Sequence, residues 1–204
     1  MLFSRILAFI LHPVFMTTYA GVLYYYAFPT VHTLTPEKNI AVILAVIFIA
    51  TAALPLLSML ILLRFGKIQN LEMSEQQERN WPLIQTAVIY LIALYALKSE
   101  IVPAFLQIFI LGAVGGMVIA LIINLKWKIS LHLIGMGGLC GAFFSGMVIY
   151  REGQVLLLSI LLLTAGLLGT TRLLLREHTL TQVFTGFLTG FLIEVALLLF
   201  AAIR

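Results

Sequence analysis

Hydrophobic residues gather into seven long runs, at about 6–28, 40–63, 82–97, 101–123, 131–150, 155–175 and 179–203, with short polar breaks between them. A membrane helix needs roughly 17 to 25 predominantly apolar residues, and every run but the short third one supplies them. The pattern predicts an all-α integral membrane protein with about seven transmembrane helices in a single membrane domain, 1–204. Two spans fall in 1–63 and the rest in 64–204. His12-Pro13 interrupts the first run, and Thr18-Tyr19-Ala20 is a weak cleavage signal, so the run reads as an uncleaved first span. His12 itself reads as a structural residue that bonds a carbonyl freed by the proline kink. Tyr24, Tyr25 and Tyr26 read as an interfacial belt at the span's end, and Pro55 as a tolerated kink point in the second span.

The polar breaks decide what meets what. The longest, 64–81, carries Lys67, Glu72, Glu75, Glu78 and Arg79 and reads as a surface loop or short helix, whereas Lys98-Ser99-Glu100 leaves room only for a hairpin. Seven crossings place the N-terminus and the breaks after spans two, four and six on one face. Arg79, His132 and His178, far apart in sequence, then share a membrane surface. The glycines at 135, 137, 138, 141 and 146 of the fifth run, and the pair Gly186 and Gly190 of the last, suit helices in close approach.

Composition narrows the partners. With 62% hydrophobic residues, 10% charged and a mean hydropathy of +1.13, the chain is not a soluble domain of mixed surface. Its net charge of +4 comes from basic residues scattered singly among the breaks, which argues for placement at a membrane surface and against a nucleic-acid partner. Cys140 is alone, so there is no internal disulfide and no metal-ligand spacing, and it reads as a packing residue. All eight acidic residues are glutamates.

The stretch 171–182, TRLLLREHTLTQ, sets Arg172 and His178 at the join of two runs. A guanidinium is a permanent cation suited to gripping an oxyanion, and an imidazole serves as nucleophile, base or acid near neutral pH. The plainer reading is that Arg172, Arg176 and His178 anchor helix ends at the membrane surface. Two further segments share the face: 72–82 (EMSEQQERNWP) and 126–132 (KWKISLH). Together they suit phosphate chemistry without a metal or cofactor. Cations clamp nonbridging oxygens, one imidazole attacks phosphorus, and the other protonates the leaving alkoxide.

These three segments resemble the motifs of the type 2 phosphatidic acid phosphatase (PAP2) superfamily, K-x6-R-P, P-S-G-H and S-R-x5-H-x3-D, over roughly residues 64–204. Thr171, Arg172, His178 and Gln182 align with the third motif, and Ser130 and His132 with the second. Arg79 aligns with the arginine of the first. The departures are Glu72 at the lysine position, Asn80 at the proline, Ile129 and Leu131 at proline and glycine, and Gln182 at the aspartate. The resemblance implies a PAP2-like helical bundle in which His178 is the nucleophile, His132 the acid, and Gln182 the residue that orients His178. It further implies Arg79 and Arg172 as phosphate clamps with Ser130 donating a hydrogen bond, and Lys67, Lys126 and Lys128 are the candidates to compensate for Glu72 from nearby. Glu177, next to His178, does not face it on a helix and is a poor substitute for the missing aspartate.

The expected activity is hydrolysis of a lipid phosphate, of the phosphatidic acid or polyprenyl phosphate class, as a phosphoric monoester or pyrophosphate. The expected setting is multi-pass in a bacterial inner membrane, with the oligomeric state open. Two alternatives stand beside it. Glu72 and Gln182 point to an inactive relative that binds or transports a phospholipid or serves in a membrane complex. His12 with Glu194, which lies about 24 Å along a helix from His178 at 1.5 Å per residue, points to a proton-coupled transporter. The proposed site face carries eight of the 12 basic residues, and without Arg79 and Arg172 the count is six against four, which leaves orientation undecided.

Overall fold

A computed structural model describes residues 2–71, 75–97 and 102–203, and among them the chain forms helices and turns and no strand. In order, the helices are α1 (Leu2–Ile10), α2 (Met16–Tyr26), α3 (Pro29–Leu34), α4 (Glu37–Phe48), α5 (Leu54–Arg64), α6 (Asn80–Ala96), α7 (Ala104–Asn124), α8 (Leu131–Tyr150), α9 (Val155–Leu174) and α10 (Leu180–Ala202). Six segments are long and apolar enough to cross a membrane: Leu2–Tyr26, Glu37–Arg64 and α7 to α10. Their outward faces carry exposed Leu, Ile, Val and Phe, as a multi-pass membrane protein requires. The third expected run is the shorter helix α6, of 17 residues. The hairpin expected at 98–100, and Glu72, lie outside the described residues.

The first run is not one helix. Pro13 has no N–H to give, and its ring forces His12 into an extended conformation (φ −65°, ψ 139°), so α1 stops and a single 3-10 turn, Pro13–Phe15, restarts the chain. The expectation for His12 is corrected in sign: its Nδ1 accepts a hydrogen bond from the Val14 N–H at 3.3 Å. The carbonyl the break frees, that of Ile10, is met by the Tyr19 hydroxyl at 2.8 Å. The tyrosines at the other end do not form a simple belt either. Tyr25 is fully buried, Tyr24 stacks on Phe105, and only Tyr26 is exposed.

Pro55 acts in a comparable way in the second run. It cannot bond the Thr51 carbonyl four residues back, and the helix widens into a π-helical turn, Ile49–Ala53, between α4 and α5. Tyr90 of α6 donates to that freed Thr51 carbonyl at 2.8 Å, which ties α6 to the kink.

Helix α8 is the centre of the bundle, with 61% of its span buried, and α10 lies along it. The two helices run parallel and touch backbone to backbone. A Cβ at Gly141 would stand 2.6 Å from the Phe191 carbonyl oxygen and one at Gly186 would stand 2.7 Å from that of Ser130. At Gly137 and Gly190 it would overlap the carbonyls of Phe187 and Ile134. Glycines of each helix therefore lie on carbonyls of the other, and Cα–H groups face oxygen, worth about 0.5–1 kcal/mol each.

Gly190→Leu is expected to separate α8 from α10 and lower the thermal midpoint of the detergent-solubilised protein by well over about 5 °C, because the contacted atoms are backbone and cannot yield. Gly166→Ala, where a Cβ meets nothing within 4 Å, is expected to leave it unchanged or slightly raised.

Candidate functional site

The helix ends that the parity of crossings assigns to one face do converge. Asn80, the first residue of α6, accepts from Asn124 Nδ2 at 3.0 Å at the end of α7, so Arg79 lies beside the start of the 124–130 connection. Arg79 Nη1 then donates to the Ile129 carbonyl at 2.9 Å, and the Ser130 N–H donates to the Gln182 carbonyl at 3.4 Å. These links bring the beginnings of α6, α8 and α10 and the end of α9 to one end of the bundle.

The segment 171–182 has a local reason for its shape. Arg176 takes a left-handed conformation (φ 55°), its N–H bonds the Leu173 carbonyl at 2.9 Å, and the Glu177 N–H bonds that of Arg172 at 3.1 Å. This is a Schellman closure of α9. Two residues on, Thr179 and Gln182 form a capping box that starts α10: Thr179 Oγ1 accepts from Gln182 N at 3.4 Å, and Gln182 Oε1 accepts from Thr179 N at 3.0 Å. Between these two caps, Glu177 is turned back toward Arg172 and His178 is held against Gln182.

His178 Nδ1 lies 3.1 Å from Gln182 Oε1. That oxygen already accepts the Thr179 N–H, so the histidine is the donor, and its Nε2 keeps a free lone pair. Burial pushes the His178 imidazole down to about 3, the Arg79, Lys128 and Arg172 charges push the same way, and the Gln182 bond opposes them. A neutral imidazole with a fixed tautomer and an available Nε2 is the form a nucleophile needs.

Cations surround it. Arg172 is 1% exposed and Arg79 2%. Burial, then the Arg172 charge, pushes Arg79 down to about 10 against the pull of Glu177, and the guanidinium keeps its charge at neutral pH. Lys128 is pushed below the usual lysine range by burial and by Arg79, with Glu177 again opposing. Glu177 forms ion pairs with Lys128 at 3.3 Å and Arg172 at 3.8 Å. Among the described residues, Arg79, Lys128 and Arg172 gather with Glu177 in a mostly buried place.

Ser130 is the N-cap of α8, yet its hydroxyl does not cap the helix and has no hydrogen-bond partner, although the residue is fully buried. His132, in the first turn of α8, gives its Nε2–H to the Ala8 carbonyl at 3.1 Å, since a carbonyl only accepts. Its ring meets that of His12 edge to face, with centroids 5.2 Å apart, and Arg172 and His178 are both within electrostatic range. The broken first run thus reaches His132, although the motif resemblance covers only 64–204. The signal was the dipeptide His12-Pro13, which sets a histidine at a forced chain break.

The remaining candidates separate. Lys126 is exposed and joins none of these contacts, because the turn after α7 points it outward while Lys128, two residues on, points in. Lys67 is also exposed. The Thr171 hydroxyl is spent on the Leu168 carbonyl of its own helix at 2.7 Å. Among the described residues no group of three His, Cys, Asp or Glu could hold a metal ion.

No protein-family model matches the chain, and no curated protein or solved structure does.

The depressed His178 has a stability consequence. Unfolded, the imidazole takes a proton below about 6.5; folded, only below about 3, so the unfolded state binds more protons in between and stability falls as pH drops through that window. The thermal midpoint of the wild type is expected to fall from pH 7 to pH 4, and that of His178→Gln to fall by less.

Proposed function

We propose that the protein is a membrane phosphohydrolase that takes a phosphate ester of a lipid at the end of the bundle where Arg79, Arg172 and Lys128 meet, and works through a phosphohistidine on His178. The observation that carries this reading is the neutral His178, its Nδ1–H held by Gln182 and its Nε2 free, beside the buried cations Arg79, Arg172 and Lys128. A dianion relieves the mutual repulsion of those cations and meets the unpartnered Ser130 hydroxyl, with the N-terminus of α8 behind it. The apolar helices around it are what favours a lipid as the substrate.

In the first step Nε2 of His178 attacks phosphorus, the N–P bond forms and the P–O ester bond breaks. The leaving oxygen takes a proton from His132 in its protonated state, for which the bound phosphate is the counter-ion. In the second step water attacks phosphorus, the N–P bond breaks, and the water's proton goes to His132. In its protonated state the His132 ring carries a second N–H, on Nδ1, while the Nε2–H is held by the Ala8 carbonyl.

A second reading has its own observation. Glu177 already occupies the cation cluster as a carboxylate would, which favours a protein that binds a phospholipid head group weakly or only when Glu177 swings out.

Phosphate release from a short-chain phosphatidic acid or a polyprenyl phosphate separates the two. His178→Ala and Arg172→Ala are expected to lower kcat/KM by at least about 10^3-fold, and a phosphoramidate on His178 is expected in acid-labile trapping. Wild-type protein that binds these lipids but releases no phosphate from any of them decides for the second reading.

Gln182→Glu keeps the capping box, which accepts either residue, and sets a carboxylate on the His178 Nδ1–H. It is expected to raise kcat by about tenfold or more, since loss of the orienting carboxylate costs about 10^4 in the serine protease triad. Glu177→Gln is expected to tighten binding of inorganic phosphate several-fold at low salt, with the gain shrinking as salt rises.

A further inference from the structure

Inside the bundle, reached along α8 from His132, lies a cavity of about 100 Å³ that is partly open to the outside. Thr17, Thr86, Phe109, Gly112, Gly138 and Glu194 are among its walls, and His12 is at its margin. On α10, Gly186, Gly190 and Glu194 recur every fourth residue and share a face. The first two press on the backbone of α8, and at the third the row carries a whole side chain. Room for it comes from two more glycines: a Cβ at Gly112 would overlap the Glu194 carboxyl group, and one at Gly138 would stand 3.5 Å from Glu194 Cγ. Glu194 is 2% exposed and its Oε2 has no hydrogen-bond partner. The Thr86 hydroxyl, on the same cavity, is buried and unpartnered as well.

An unpaired polar atom is costly in an apolar interior, and here two of them belong to residues that line one cavity. We propose that this cavity binds a lipophilic alcohol, with its hydroxyl on Glu194 and Thr86 and its hydrocarbon against the apolar and glycine walls. A hydroxyl both donates and accepts, so one group serves a carboxyl oxygen and a threonine hydroxyl together. An ammonium donates to both oxygens but gives the Thr86 O–H no acceptor. A fatty acid or a phosphate finds no Lys or Arg among the lining residues and meets the Glu194 carboxyl instead. Water satisfies the polar corner but not the rest, since apolar cavities of this order stay dry and take up small apolar guests. Nothing in the proposal requires the phosphate site to be active.

The test uses the full-length protein in nanodiscs and a long-chain alcohol carrying a diazirine near its hydroxyl, with labelled peptides mapped by mass spectrometry. Label is expected on cavity-lining residues of α6, α7, α8 or α10, displaced by 1-hexadecanol but not by hexadecane, hexadecylamine or palmitate. Thr86→Val and Glu194→Leu are expected to weaken displacement by hexadecanol about tenfold each, and Glu194→Gln to retain it. Equal displacement by hexadecane, stronger displacement by the amine, or unchanged affinity in both weakening variants overturns the proposal. Thr86→Val is isosteric and leaves the carboxyl in place, so the test stands even where Glu194→Leu does not fold.

Discussion

The contact on which the rest depends is the backbone-to-backbone approach of α8 and α10. Lipid is as apolar as a leucine side chain, so burying apolar surface between two membrane helices gains little, and close packing and polar contacts must hold them. Four glycines supply that packing, two from each helix, each facing a carbonyl of the other. The arrangement is rigid because the atoms in contact are main chain. It fixes the axial register of the two helices, and with it the position of everything at their N-terminal ends.

That register is what builds the candidate site. Ser130 precedes α8 and Gln182 sits in the first turn of α10; the hydrogen bond between their main chains joins the two helix starts just beyond the Gly186 contact with the Ser130 carbonyl. Arg79 locks onto the adjacent Ile129 carbonyl. Charges that repel one another, on Arg79, Lys128 and Arg172, are thus held in place by contacts that do not depend on their own pairing, with Glu177 as partial compensation. On the proposed reading this is electrostatic preorganisation for an incoming anion.

What the sequence made legible was the apolar runs, the glycine ladder and the convergence of Arg79, His132 and His178, all of which follow from period, length and parity. The first run misled because hydropathy counts residues and not hydrogen bonds. Across His12-Pro13 the apolar character continues, while the missing N–H ends the helix and folds His12 onto His132. Glu177 was set aside on helical geometry, yet it stands after the helix has closed at left-handed Arg176, where helical spacing no longer applies. It faces Arg172 and Lys128, and not His178. Lys126 and Lys128 are indistinguishable by composition, and only the direction of the turn separates them. The Glu194 cavity was hidden because helices from both halves of the chain, α2, α5, α6, α7, α8 and α10, line it; the i, i+4 row that contains Glu194 was visible, but not the glycines of α7 and α8 that open opposite it.

The helix junction at 171–182 and the proposed phosphate site make no conflicting demands on the segment. A tight junction between α9 and α10 needs a Schellman closure and a capping box, and the capping box needs a side chain at the third position of α10 long enough to reach back to the Thr179 N–H. Glutamine does so, whereas an aspartate is one methylene shorter. The oxygen that caps the helix is the same oxygen that holds His178 Nδ1. Gln182 therefore keeps the tautomer and aim of the imidazole while giving up the charge that would stabilise a cationic, phosphorylated ring. The missing aspartate bears on how fast such a site turns over and not on whether His178 is held for attack, because its orientation rests on the fold of the junction itself.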